Sequence, residues 1–296
     1  MDVASPRARA GHVDRVAAAR RPGRRSAADG DAAAGAAARA ADRGGERGMS
    51  VGVSIERWRE AQRAEQSYWD DVLSDGAEFA RTLAEKVYAA AWAEQRLPAG
   101  PPSGDWVEIG IGPLGVGCMH FMASAAGRRL VGVEPLPLLP ADALQLPPSL
   151  AATVASCQSG GYEHRRAKGE ETELEAGRFG LAACYNVLDH VHNPAGIIAE
   201  IARVLRPGGV LLLGCDTVSL ASLARFHGYI KHRHPDSIGV RAHPFRFRAR
   251  DLMAMVERAG FRVLEDNRRR PELAHDVAGR AHRLLMLCEK TDGGAR

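Results

Sequence analysis

Apolar residues recur at helical spacing over the stretch from Ile55 to about Gln95. Trp69, Val72 and Leu73 stand at i, i+3 and i+4, Phe79, Leu83 and Val87 follow at steps of four, and Tyr88 pairs with Trp92 one turn on. The triplet Ser74-Asp75-Gly76 divides this pattern into two helices, and the PAGPPSG run from Pro98 to Gly104 closes it as a loop. Beyond that loop, short apolar runs alternate with amphipathic stretches, the pattern of βα units around a parallel sheet. Strands are expected at Trp106–Ile109, Leu130–Val133, Leu181–Tyr185, Val210–Leu213, Arg262–Leu264 and Leu284–Glu289, with a weaker one in either Thr153–Cys157 or Glu163–Arg166.

The first 48 residues follow neither period. They hold 16 Ala, 10 Arg and 7 Gly, with Met1, Val3, Val13 and Val16 as the only other apolar side chains. Too little surface can be buried there to offset the ordering entropy, so a disordered leader is expected. Asp29, Asp31 and Arg39 interrupt the alanine stretch and exclude the unbroken apolar core of a secretory signal; the six acids weaken a nucleic-acid arm. Met49 follows Gly-Glu-Arg-Gly, whose codons can hold a purine-rich ribosome-binding stretch, which makes it a candidate start. The organisation read from this is a leader over 1–48, a helical cap over 49–104 and an α/β domain over 105–296.

Charge changes the picture only locally. The formal net charge of +4 is that of the leader, and the remainder holds 30 basic and 30 acidic residues. Within that balanced remainder, Arg225 to Arg250 carries seven Lys or Arg against Asp236 alone, which reads as a lid that attracts an anionic acceptor through Lys231, Arg233, Arg241 and Arg246. His227, His232, His234 and His243 crowd the same segment, but no carboxylate or thiolate stands at supporting spacing, and no metal is expected. The five cysteines are scattered and never form C-x-x-C, so no disulfide framework is indicated and a reducing cytoplasm is the expected setting. No apolar run approaches the ~18 residues of a membrane span.

The first strand opens into WVEIGIGPLGVG, in which Gly110, Gly112 and Gly115 make G-x-G-x-x-G and Glu134 ends the next strand 19 residues after Gly115. Glu108 puts a carboxylate at the mouth of the loop, and Pro113 removes one backbone N–H, so a pyrophosphate fits poorly. An amine near Glu108, a small carboxylate at a helix N-terminus and a ribose diol at Glu134 fit better.

From Asp105 to Lys290 the chain resembles the class I S-adenosylmethionine-dependent methyltransferases. Glu108-x-Gly110-x-Gly112 is similar to the family's first motif, VGVEP with Glu134 and Pro135 to its ribose-binding strand end, and IIAEIARVLRPGGVLLL to its helix, RPGG turn and fifth strand. KGEETELEAGRFGLAACYNVLDHVHNP resembles the run from the adenine contacts to the fourth strand, and AGFRVLE with HRLLMLCEK resembles the closing strands. The resemblance implies a Rossmann-like, seven-stranded, mostly parallel α/β sheet with an N-terminal helical cap, and S-adenosyl-L-methionine as cofactor. It places Glu108, Gly110, Gly112, Glu134, Pro135, Glu170, Glu171 and Asn186 around that cofactor, with Glu108 holding the methionine end by way of water or the loop, Glu170 near the adenine amine and Glu171 contributing backbone. His190 is the first candidate for a base, with Tyr185 and His227 behind it.

Base-amino and cytosine-attacking chemistries are excluded by the lack of N-P-P-Y, D-P-P-Y and Pro-Cys motifs, and few aromatics are on offer for stacking nucleic acid. A small-molecule acceptor methylated at O, N or C is therefore expected, with neither nucleic acid nor membrane as partner. A nicotinamide-dependent oxidoreductase and a non-catalytic cofactor-fold regulator are the alternatives from other classes.

Overall fold

A computed structural model describes residues 52–74, 76–98, 100–141, 146–269, 272–274 and 281–291. All belong to the unit Met49–Arg296. The leader expectation for 1–48, and Met49 as its limit, lie outside the described residues.

Helices α1 (Ile55–Ser74) and α2 (Gly76–Glu94) flank Asp75, where the sequence breaks the helical pattern. The buried face of α2 differs from the one its large residues suggest. Val87 and Tyr88 are exposed, and the chain buries Phe79, Lys86, Ala89, Ala90, Trp92 and Ala93 instead. Alanines at this face let the helix lie close to the sheet, which a stripe of larger side chains would prevent.

The strands are β1 (Asp105–Ile109), β2 (Leu130–Val133), β3 (Glu163–Arg165), β4 (Phe179–Tyr185), β5 (Leu205–Val218), β6 (Phe261–Asp266), β7 (Glu272–Ala274) and β8 (Ala281–Lys290). Seven of them run in the order β3-β2-β1-β4-β5-β8-β6, and short β7 pairs with β8 off that path. The pairs from β3 to β5 are parallel and those made by β8 are antiparallel. The sheet is thus the mostly parallel, Rossmann-like one expected. Of the two candidates for the weaker strand, Glu163–Arg165 takes the role, while Thr153–Cys157 lies inside helix α3 (Pro148–Gly160).

Helices cover both faces, so β4 is buried at all seven positions and reads as a continuous apolar run. Its alternate residues Ala182 and Cys184 join a cluster with α4 (Pro194–Val204) and α6 (Ala249–Arg258), while Leu181, Ala183 and Tyr185 face α2. Asn193 caps α4 by accepting from the Gly196 N–H at 3.0 Å, with Pro194 at the first helical position. No helix among the described residues is long and apolar enough to cross a membrane.

Candidate functional site

The glycine loop after β1 requires backbone that only glycine adopts freely. Gly110, Gly112 and Gly115 have φ of +82°, +76° and +66°. Space is equally restrictive: a Cβ on Gly110 would stand 2.2 Å from Val187 Cγ2, and one on Gly112 would stand 3.3 Å from Trp69 of α1. Lys86, buried on α2, donates its ammonium hydrogens to the carbonyls of Ile111 and Val116 and so ties both sides of the loop to the cap.

The helix expected after this loop does not form. Two short 3₁₀ turns, Met119–Phe121 and Ala123–Ala125, occupy its place. Glu108 is spent on the first of them, accepting from the N–H groups of Cys118 (2.8 Å) and Met119 (3.0 Å) and from the Tyr162 hydroxyl (2.6 Å). It is 1 % exposed and not in the cavity wall, so any part it takes in holding a ligand runs through the backbone it fixes and not through direct contact.

One cavity of about 550 Å³ opens at the carboxyl ends of β1, β2 and β4, beneath α1 and α2. That volume falls in the ~300–1,000 Å³ range of small-molecule sites. Gly110, Gly112, Glu134, Pro135, Glu170, Tyr185, Asn186, His190 and Arg246 line it, whereas Glu171, His227, Lys231, Arg233 and Arg241 do not.

At the end near the glycine loop, Glu134 accepts from the N–H groups of Gly112 (2.8 Å) and Leu136 (3.0 Å). Burial pushes its carboxyl up to about 7 against these two bonds. Asn186 holds the left-handed conformation (φ +58°) and presents a buried Oδ1 that has no hydrogen-bond partner among the described residues. Glu170 accepts from the Asn193 N–H at 2.9 Å and so steadies the start of α4. Glu171 is exposed, and Lys168 and Gly169 take the wall position expected of it. These groups suit S-adenosylmethionine: a carboxylate for a diol, an unsatisfied carbonyl oxygen for an amine, and bare backbone at the glycines.

The far end is a polar network that spans cap and sheet. Arg283 and Asp216 stand opposite each other across β5 and β8, and the guanidinium also donates to Glu85 of α2 (2.9 Å) and to the Tyr185 hydroxyl (2.8 Å). Tyr185 is thereby a fixed part of the wall. His190 lies between two carboxylates, with Nδ1 3.2 Å from Glu65 Oε2 of α1 and Nε2 3.6 Å from Asp189 Oδ1. Burial opposes its charge, but Asp189 and Glu65 lift it to about 10. Burial, reinforced by His190, pushes the adjoining His243 down to about 4. The two carboxylates thus favour the charged, proton-donating form of His190, which counts against its reading as a free base.

The basic segment is only partly a wall. Helix α5 (Leu220–Arg225) leads to exposed His227, Lys231 and Arg233, and Arg241 turns toward Glu60 at 3.7 Å. Arg57 of α1 donates to the carbonyls of Val240 and Arg241, both at 2.7 Å, and docks the Ile238–Arg241 turn on the cap. Arg246 alone of the four expected cations reaches the cavity, stacked 4.0 Å over the Phe226 ring.

Sequence reading missed Glu65, Lys86, Glu85, Asp216 and Arg283. A lysine on an otherwise small, apolar helix face and an arginine opening the run RLLMLC were signals of buried charge, but their partners are remote in sequence.

A family model described as a methyltransferase domain matches residues 78–266. A ubiquinone biosynthesis O-methyltransferase of Aromatoleum aromaticum is 30% identical over 114 residues, 36% of this chain and 46% of that protein. One of Methylococcus capsulatus is 29% identical over 124 residues, 37% of this chain and 52% of that protein. The chain spans about half the length of these curated relatives. Among solved structures, 1,6-didemethyltoxoflavin-N1-methyltransferase of Burkholderia thailandensis, with 1,6-didemethyltoxoflavin and S-adenosylhomocysteine bound, shares the fold. It has a TM-score of 0.52 and 17% identity, over 82% of this chain and 94% of that one.

Proposed function

The chain belongs to the methyltransferase-domain family, and from that premise we propose that it methylates a small, ring-bearing acceptor at oxygen, with S-adenosyl-L-methionine as donor. The observation that carries this reading is a cavity in which Glu134 and the glycine loop stand at one end and Tyr185, His190 and Arg283 at the other.

When bound, the cofactor supplies a methyl group already activated on a sulfonium, so the protein's task is alignment and exclusion of water, worth effective molarities on the order of 10⁵–10⁸ M. Glu134 would accept from the ribose hydroxyls and Asn186 Oδ1 from an amine, with Gly110 and Gly112 allowing close approach. Trp58, Tyr68, Trp69 and Tyr185 line the same cavity and offer ring faces to a flat acceptor. Glu65 is a wall carboxylate held below its usual range because His190 outweighs the effect of burial. It is placed to take the hydroxyl proton that the charged His190 cannot. Arg246 and Arg283 would face the negative charge left on the oxygen.

Calorimetry with S-adenosylmethionine and NAD, followed by assay of S-adenosylhomocysteine formation with a panel of phenols and catechols, tests this. Binding of the first cofactor alone, with turnover on a hydroxylated ring, is the expected result. NAD binding without S-adenosylmethionine binding overturns the reading.

A further inference from the structure

The four histidines of the basic segment do not gather, but one of them finds partners elsewhere. His243 meets Asp189 and His190, which follow β4 in the loop before α4. Its Nε2 lies 3.6 Å from Asp189 Oδ2, and the two imidazole rings are 4.4 Å apart between centroids. The carboxylate thus stands between two imidazoles, one from the end of a parallel strand and one from the docked segment more than fifty residues later.

Three features of this cluster are unusual for a structural ion-pair group. Asp189 is 3 % exposed and His190 8 %, yet Asp189 Oδ1, His190 Nε2 and His243 Nδ1 have no hydrogen-bond partner among the described residues. Buried polar atoms are nearly always satisfied, so unsatisfied ones at one spot call for a ligand. One candidate ligand atom from each of the three residues can be chosen so that all lie within 4.8 Å of one another. Metal–ligand bonds of ~2.0–2.2 Å put neighbouring donor atoms ~3.0–3.4 Å apart; His190 Nε2 and His243 Nε2 stand 3.6 Å from different oxygens of Asp189, so a cation held by one atom from each residue draws together a set that now spans up to 4.8 Å, a closure of about an ångström. Finally, His190 Nδ1 is already engaged by Glu65 Oε2 at 3.2 Å and by the Ala242 carbonyl at 3.1 Å. A carboxylate or carbonyl on the far nitrogen is what orients a metal-bound imidazole and raises its basicity.

We infer that Asp189, His190 and His243 form a binding site for a divalent first-row transition-metal cation, with Glu65 holding the His190 ring from behind. Two imidazoles and one carboxylate are the donor set that suits such cations and leaves positions open. A cation bound at His190 displaces the proton that Asp189 and Glu65 favour there in the metal-free protein; with both carboxylates ionised and both rings then neutral, the cluster carries two negative charges, which one divalent cation cancels. His190 and His243 both line the cavity, so the open positions face it. The site stands independently of the methyl-transfer reading. That an acceptor oxygen fills an open position rests on that reading.

Chelator-treated, tag-free full-length protein titrated with Co(II) tests the inference through the visible spectrum of the bound ion. One Co(II) per chain, with a spectrum showing nitrogen ligation, is expected in the wild type and in His234→Asn, whose exposed ring lies outside the cluster. His243→Asn should weaken binding at least tenfold. The wild type alone also decides the matter, because Zn(II) should shift the imidazole ¹⁵N signals of His190 and His243 and no others. Equal Co(II) affinity in wild type and a folded His243→Asn, or Zn(II) shifts confined to other histidines, overturns the inference. Parallel calorimetry with S-adenosylmethionine separates the two readings: cofactor binding without cation binding sinks the metal site alone, and cation binding without cofactor binding sinks methyl transfer alone.

Discussion

Glu134 is a buried carboxylate that two backbone N–H groups hold and that burial nonetheless pushes up to about 7, from an ordinary 4.5. Only its ionised form accepts two hydroxyl hydrogen bonds, so cofactor affinity should rise about tenfold from pH 6 to pH 8 and level off above that. Glu134→Gln should flatten this profile and weaken binding tenfold or more, since charge-assisted bonds contribute ~1.5–3 kcal/mol each. Calorimetry across pH reads both, and a flat wild-type profile would remove Glu134 from the ribose site. Stability has the opposite sign. A folded value above the unfolded one makes this group's contribution fully present below about 4.5 and lost as pH rises through about 7. The carboxylate is thus a cost of folding that a bound diol offsets.

At the scale of elements, α2 acts on the glycine loop through Lys86, whose ammonium serves the Ile111 and Val116 carbonyls. Lys86→Met keeps the length of the side chain and removes the donor. Each carbonyl left unsatisfied in a buried setting costs ~1–3 kcal/mol, so the melting temperature should fall by several degrees. Cofactor affinity should fall with it, because the loop loses the tie that holds its two sides together. Melting and calorimetry on the same variant check this, and an unchanged dissociation constant would show that β1 and the glycine dihedrals suffice to shape the loop. Helix α1 works at the other end, where Arg57 docks the Ile238–Arg241 turn and Glu65 meets His190. The cap is therefore part of the site and not merely its cover.

Over the whole described body, the cavity is walled jointly by the cap helices and the strand ends, so a ligand that fills it joins the two. Binding to the folded state alone adds ~2.7 kcal/mol at a free concentration one hundred times the dissociation constant. For a body of this size that corresponds to a rise of ~5–10 °C in melting temperature, measured by thermal denaturation with S-adenosylhomocysteine. Absence of any rise at saturation would mean that cofactor binding does not draw cap and sheet together.

Much of this was legible along the chain because it depends on local chemistry. Gly110, Gly112 and Gly115 marked a glycine loop after the first strand, and the apolar runs marked the strands of a mostly parallel sheet, since backbone freedom and local burial act between neighbours in sequence. Composition likewise located the excess charge in 1–48 and in Arg225–Arg250. Which charges met was decided only in three dimensions. Glu108 was taken by the 3₁₀ turn instead of the cavity, and Lys231, Arg233 and Arg241 were turned away from it. Arg283 reached Asp216 and Glu85, and His243 came to Asp189. Such pairings join residues up to about two hundred positions apart. The desolvation and Coulomb energies that govern them depend on distance and burial, quantities that exist only after the sheet has aligned its strands and the cap has closed over their ends.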